Sequence, residues 1–239
     1  MNFKITNKNG AKLNTAQKYV GEDIVVTIDE SLFDNYFETY NGDFIAIDPS
    51  EELLPNGFTK LNFIESTGEQ YINTEYNMTT NSSIELVMTI TEYDTSAKMG
   101  FLGSYENGAI IYQLYASGTG NQYFYMSFGG KNYAQIQKFN TNVNYEIIMK
   151  ADTISINSSI YNFTSDGLVD AKIPLYLFWR NATGAKAKMR LFSCNIYNNG
   201  VLERKFIPCI RSSDNTIGLY DLAKDKFYEN KGTGVFIGG

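Results

Sequence analysis

Apolar and polar residues alternate with period two along much of this chain, most clearly between Met189 and Ile237. In Met189–Tyr197, Phe192, Cys194 and Ile196 fall on one side and Ser193 and Asn195 on the other, the pattern of a half-buried strand. Asn199-Gly200 follows, a dipeptide suited to the positive φ angles of a type I′ turn. The chain is therefore expected to reverse into Val201–Pro208 as an antiparallel hairpin. Thr216–Asp221 and Lys226–Tyr228 read as short strands joined by the turn Ala223-Lys224-Asp225. Gly232-Thr233-Gly234 then delivers a last strand, Val235–Ile237.

The same reading extends toward the start of the chain. Residues 1–28 form a small β module, with Phe3–Thr6 extended, Asn9-Gly10 turning and Ile24–Ile28 a strand. Residues 29–56 are mixed. Ser31 is placed to cap a short helix through Tyr40 with Asp34 in its first turn, although the Phe and Tyr content also suits a strand. Phe44–Ile47 reads as extended, and Pro49 and Pro55-Asn56-Gly57 bracket an acidic linker. From residue 57 onward short strands follow one another: Gln70–Thr74 after the turn Ser66-Thr67-Gly68, Ser83–Glu92 with Ile84, Leu86, Met88 and Ile90 on one face, Met99–Ser104, Ala109–Tyr115, Gln122–Phe128, Tyr145–Lys150, Thr153–Ile156, Ile160–Phe163 and Pro174–Arg180. Turn signals about every 8–12 residues predict an all-β, two-sheet antiparallel sandwich.

Taken together, "LNFIESTGEQYINTEY" (residues 61–76), "LFSCNIYNNGVLERKFIPC" and "IGLYDLAKDKFYENKGTGVF" resemble the opening and closing strands of concanavalin A-like, laminin-G-type jelly rolls of bacteriophage tail proteins and gut-bacterial surface proteins. "GAKLNTAQKYVGEDIVVTI" resembles a short β module that precedes larger domains in phage tail proteins. The resemblance covers roughly residues 57–239 and implies the fold more firmly than a function, since that sandwich hosts binding, hydrolysis and plain architecture. It implies a virion protein, a tail or head fibre or a decoration protein, that binds a host-surface glycan. The N-terminal module would join it to other virion proteins in a homo-oligomer, most simply a trimer. A purely structural virion subunit is the alternative, and a bacterial cell surface the alternative location if the sequence is a piece of an exported protein.

Composition narrows these readings. The 239 residues are 15% aromatic, with 20 Gly and 4 Pro, as suits a sheet protein with Asn and Gly turns. A net charge of −6 argues against a nucleic-acid partner. Lys186, Lys188, Arg190, Arg204, Lys205 and Arg211 make the hairpin region locally basic, read as charges on solvated strand faces and edges. No window has the roughly 20 apolar residues of a membrane span, and residues 1–10 lack a signal-peptide core. The expected location is a virion surface, reached from the host cytoplasm without export. Cys194 and Cys209 flank the predicted hairpin turn nearly symmetrically, so a disulfide and a pair of small buried thiols are both open. Asn77, Asn81, Asn157, Asn162 and Asn181 head Asn-x-Ser/Thr sequons that reflect an Asn-rich composition.

The chain has no histidine, which removes Ser-His-Asp and Cys-His catalysis and imidazole metal sites. A glycan-cleaving carboxylate pair is the remaining catalytic option. Glu92-Tyr93-Asp94-Thr95-Ser96 is the nearest match to the Glu-x-Asp-x-Glu strand of sandwich glucanases. Ser96 stands where the third acid belongs, so a non-enzymatic protein is expected. Calcium, held by loop acids such as Asp166, Asp170 and Asp214, is the one cofactor considered, and no coordinating run supports it. For glycan binding, flat rings beside amide and guanidinium groups are required. Trp179, Arg180 and Asn181 are the first candidates. Tyr123 and Tyr125, on the face opposite Phe124, Met126 and Phe128, come next, with Tyr115 and Tyr133 as companions. The competing expectation is a core role for Trp179 and cross-strand packing for the tyrosine pair.

Overall fold

A computed structural model describes residues 4–7, 25–28, 37–40, 43–46, 54–106, 109–118, 122–164, 167–181 and 185–239. The chain divides into two compact units, Met1–Leu53 and Leu54–Gly239. In the first, β1 (Lys4–Asn7) pairs in parallel with β2 (Val25–Ile28), and β3 (Phe37–Tyr40) forms an antiparallel hairpin with β4 (Asp43–Ala46). Of the two alternatives for the segment ending at Tyr40, its last four residues are strand. The turn at Asn9-Gly10, the cap at Ser31, Asp34 and Pro49 lie outside the described residues.

The second unit runs through β5 (Phe58–Lys60), β6 (Ile64–Thr67), β7 (Ile72–Asn73), β8 (Ser82–Glu92), β9 (Met99–Glu106), β10 (Ala109–Ala116), β11 (Tyr123–Phe128), β12 (Lys131–Lys138) and β13 (Asn144–Met149). It continues through β14 (Thr153–Ile156), β15 (Ser159–Asn162), β16 (Tyr176–Leu177), β17 (Ala185–Lys186), β18 (Lys188–Asn198), β19 (Val201–Arg211), β20 (Thr216–Asp221), β21 (Lys226–Tyr228) and β22 (Ile237–Gly238). No helix occurs among the described residues. An eleven-stranded sheet has the order β15-β14-β13-β8-β18-β19-β20-β21, with β5 on β19, β6 on β18 and β22 on β6. A seven-stranded sheet has the order β12-β11-β10-β9-β16-β7, with β17 also on β9. The fold is thus the expected all-β sandwich of two antiparallel sheets, with the short parallel β9–β17 contact as its local exception.

Alternation decides which residues enter the interior. From the larger sheet come Ile84, Leu86, Met88 and Ile90 of β8 and Tyr145, Ile147 and Met149 of β13. From the smaller sheet come Tyr112 and Leu114 of β10 and Phe124, Met126 and Phe128 of β11. Rings carry much of the contact. Phe124 meets Tyr145 across the gap at 5.1 Å between centroids, and Phe101 and Phe139 lie 5.7 and 5.0 Å from Phe124, edge-on or tilted as ring quadrupoles prefer.

The predicted hairpin is present, with Asn199 and Gly200 at φ 49° and 77° between β18 and β19. Its details correct three expectations. Phe192 does not share a side with Cys194: a bulge between Leu191 and Ser193, opposite Met88 and Val87, turns Phe192 out against Phe63 at 5.8 Å. The cysteines form no disulfide. Cys194 pairs with Phe206, three residues short of Cys209, and three strand residues span about 10 Å, beyond disulfide reach. Arg204, expected on a solvated face, is 8% exposed. Its Nε lies 3.4 Å from Asp221 Oδ2 and donates to the Thr74 carbonyl, Nη2 donates to the Glu75 carbonyl, and the guanidinium stacks on Tyr76. Asp221, wholly buried, accepts from the Lys205 and Ala223 amides. The rest of the basic hairpin is largely paired: Lys188 with Glu92, Arg190 with Glu65, and Arg211 with Asp214 and Glu229.

Two further differences concern the smaller sheet. Pro174–Arg180 is not one strand, since only Tyr176 and Leu177 pair before the chain turns away. β12 has no counterpart in the sequence reading, because "KNYAQIQK" offers only Ala134 and Ile136 to the interior and its polar residues masked the alternation.

Arg204→Ala should destabilise the protein by about 3–5 kcal/mol in denaturant melts by leaving Asp221 buried and unpaired, whereas replacing both residues with apolar ones should cost less. Burial pushes both thiols up to about 12. A raised thiol pKa contributes stability below the ordinary thiol value of about 8.5, and that contribution is lost as pH rises toward the folded value. Alkylation without reductant should therefore leave both cysteines unmodified in the native protein at pH about 8 and label both in urea. Stability should decline as pH climbs above about 8.5.

Candidate functional site

The outward face of the seven-stranded sheet carries the residues that alternation excludes from the core. Register lines them up in two rows. The first runs Lys186, Gly100, Tyr115, Tyr125, Gln135 across β17, β9, β10, β11 and β12. The second runs Asn73, Tyr176, Gly103, Gln113, Ser127 across β7, β16, β9, β10 and β11. Each row crosses five strands, about 19 Å.

A glycine in each row makes room for Arg180. A Cβ on Gly100 would come within 2.7 Å of the Arg180 amide nitrogen, and one on Gly103 within 2.8 Å of the Arg180 Cβ. Neither contact is one that real structures tolerate, so both positions require a missing side chain. Arg180 lies over them, 5% exposed, donating from Nη1 to Gln113 Oε1 at 3.4 Å, with its guanidinium 5.5 Å from the Tyr115 ring centre. Backbone strain places it there. Phe178 has φ 66° and Asn181 φ 53°, and left-handed geometry is unusual for a ring residue. Phe178 keeps its ring in the core against Phe236 at 5.0 Å, and the distorted backbone delivers Trp179 and Arg180 consecutively to the outer face.

Beside Arg180, Trp179 lies 4.9 Å from Tyr71 and 5.8 Å from Tyr176, three half-buried rings at the β7–β16 edge. Lys186 Nζ sits 5.5 Å from the Trp179 ring centre and 5.8 Å from that of Tyr71. Across the sheet, Tyr115 and Tyr125 stack at 5.3 Å and the Tyr125 hydroxyl donates to Gln135 at 2.8 Å. Lys138 lies 5.6 Å from the Tyr123 ring centre, and Lys98 6.0 Å from that of Tyr115. Burial of Tyr176 and the neighbouring Tyr71 raise the Tyr176 hydroxyl pKa above its ordinary value, so it is a neutral hydrogen-bonding group at pH 7.

The candidates read from the sequence thus separate by role. Trp179, Tyr123 and Tyr125 are half-exposed on this face, and Trp179 is not a core residue. Tyr115 and Arg180 are buried and form the floor. Asn181 closes the excursion through its left-handed backbone. Tyr133 contributes backbone to β12, and its side chain lies outside the described residues. Tyr71, Tyr176, Gln113 and Lys186 were missed as site residues. The alternation of "EQYINTEY" puts Tyr71 opposite Ile72, but which sheet face it joins depends on pairing with β16.

Other candidate chemistry is engaged elsewhere. Glu92 pairs with Lys188 at 2.6 Å, and Asp94 accepts from the Ser96 amide and hydroxyl. Those bonds lower the Asp94 carboxyl pKa, the opposite of what a general acid needs. Asp170 accepts from the Thr80 amide and Asp214 is held by Arg211; Asp166 lies outside the described residues. No cluster of three metal-ligating side chains occurs among the described residues. A polar concavity of about 370 Å³, lined by residues including Asn81, Lys150 and Gly200, lies at the hairpin-turn end of β8 and β18, apart from the aromatic face.

Gly103→Ala should force Arg180 off the sheet and cost about 1–3 kcal/mol in thermal or denaturant melts. The same change at Gly57, whose Cβ would meet nothing, should show only the smaller cost of its positive φ.

No family model matches the chain, and no curated protein matches it in sequence. Among solved structures, a Bacteroides ovatus protein named "putative carbohydrate binding protein" is similar with a TM-score of 0.52 at 10% identity, over 76% of this chain and 60% of its own. Caenorhabditis elegans galectin LEC-6 gives 0.38 at 13% identity over 61% of this chain and 99% of its own. Trypanosoma rangeli sialidase gives 0.41 at 11% identity over 57% of this chain and 25% of its own, so this chain matches about a quarter of the sialidase. The last two likenesses are too slight to carry an argument. The Bacteroides protein shares with this chain the fold, a β-sandwich.

Proposed function

We propose that the sandwich binds a glycan across the outward face of its seven-stranded sheet. The observation that carries this reading is the pair of registered rows in which half-exposed rings flank a floor of amide and guanidinium groups. Trp179, Tyr71 and Tyr176 form one stacking platform and Tyr123 and Tyr125 another, offering flat apolar faces to the C–H surface of sugar rings. Gln135 offers an exposed amide to hydroxyls between the platforms, above the floor that Gln113 and Arg180 form. Tyr123, Tyr125, Tyr176, Gln113 and Gln135 are held by strands, and Trp179 and Arg180 by the left-handed detour that follows β16, so the face is preorganised and ordering it costs little on binding.

The setting belongs to the same proposal. The likeness of residues 57–239 and of the N-terminal module to phage tail proteins supports an adhesive virion protein, working as an oligomer attached through that module. No step of this role requires the protein to cleave its ligand.

The test is a glycan array and a host-cell binding assay with the intact protein. Trp179→Ala and Tyr125→Ala, each confirmed to be folded, should weaken retention about tenfold or more. Ile160→Ser, an exposed change on β15 of the other sheet, should leave it unaltered. Failure of the intact protein to bind any glycan or cell would overturn the reading in favour of a structural role.

A further inference from the structure

We infer that the ligand of this face is an anionic saccharide, bearing a carboxylate or a sulfate, rather than a neutral one. The inference rests on the glycan-binding reading above and adds the class of sugar.

It starts from charge. The chain carries −6 overall, yet among the described residues the charged side chains set over the rings of this face are cationic: Lys98, Lys138 and Lys186 at its surface and Arg180 in its floor. Register gathers the lysines at one end of the sheet. Met99, next to Lys98, pairs with Ala116, Tyr123 pairs with Lys138, and Lys186 pairs with Gly100. Each is set over a ring rather than beside an acid. Lys186 faces Trp179 and Tyr71, Lys138 faces Tyr123 and Lys98 faces Tyr115.

Three lysines elsewhere in the sandwich are instead set against acids. Lys188, Lys224 and Lys226 pair with Glu92, Glu203 and Glu75. No ion pair joins Lys98, Lys138 or Lys186 to a carboxylate among the described residues. The two acids nearest to Lys98 in sequence are engaged, Glu92 by Lys188 and Asp94 by the Ser96 amide and hydroxyl.

A cation held over an aromatic ring uses one side of its ammonium and leaves its other N–H groups to donate outward. An anion on a sugar stacked against Trp179 or Tyr123 would lie within reach of the ammonium held over that same ring. The ring binds the apolar face of the sugar and the lysine binds its charge. A neutral sugar would leave the three ammonium groups with water alone, and a patch of like charge would then bring no affinity. In an acidic protein, such a patch also favours encounter with anionic rather than cationic partners.

The chain has one tryptophan, Trp179, so intrinsic fluorescence reports directly on this face. The experiment is a glycan array of matched neutral, uronate-containing, sialylated and sulfated oligosaccharides, followed by fluorescence titration of the intact protein with the retained glycans. Acidic members should be retained over their neutral counterparts, and their affinity should fall as ionic strength rises from about 0.01 M to about 1 M. Lys186→Gln and Lys138→Gln, at opposite sides of the face, should each weaken binding about two- to fivefold and flatten the salt dependence. Lys224→Gln, in an ion pair elsewhere, should do neither. The relative retention of uronate, sialylated and sulfated members identifies which anion is recognised. Equal retention of neutral and acidic glycans, with no salt dependence, would overturn the inference and leave the glycan reading standing. No retention of any glycan and no fluorescence change would overturn both.

Discussion

The dry space between the two sheets is the constraint on which the rest of this domain depends. A strand can give only alternate residues to one side, so filling the interior with Ile84, Leu86, Met88, Phe124, Met126 and Phe128 settles where their neighbours go. On β11 that places Tyr123, Tyr125 and Ser127 on the outward face. The candidate site is therefore a by-product of core packing as much as a separate device. A one-residue slip in the β10–β11 register would send Tyr125 inward and Phe124 to solvent, and the cost of exposing such rings protects the register of the site.

After β16 the alternation is broken, and the geometry of the candidate site depends on the break. The chain could have continued Tyr176 and Leu177 as a longer strand, gaining ladder hydrogen bonds. Instead it accepts left-handed geometry at Phe178, a residue poorly suited to it, at a cost of about 1–3 kcal/mol. The ladder is partly restored by the Phe178 amide donating to Phe101 and the Ala187 amide donating to Phe178. What the detour accomplishes is to put two consecutive side chains, Trp179 and Arg180, on one face, which no regular strand can do. Gly100 and Gly103 complete it by leaving the space that Arg180 fills.

These two origins explain what could be read from the sequence. Tyr123 and Tyr125 were legible because they sit in a strand with clean alternation, and the hairpin was legible because Asn199-Gly200 has few other uses. The Cys194–Cys209 proximity failed because the two are unequally far from the turn: Cys194 lies five residues before Asn199 and Cys209 nine after Gly200, and the irregularity between Ile196 and Tyr197 moves the partner of Cys194 by only one residue, to Phe206. Arg204 looked like a surface charge because nothing local announces Asp221 as its partner, seventeen residues on and one strand away. Lys186 was recognised as basic but not as part of a site, since its rings come from Tyr71 and Trp179, on other parts of the chain.

Arg180 and Arg204 show how burial changes what the same side chain does. Arg204 is matched by a buried carboxylate and by backbone carbonyls, so it fixes β19 and β20 to the segment at Thr74 and Glu75, and its charge is spent inside the fold. Arg180 lies over two glycines, beside the Tyr115 ring and the Gln113 amide. It fills the space that Gly100 and Gly103 leave free. The two arginines therefore divide the work: one ties strands of the sandwich together, and the other is built into the floor of its aromatic face.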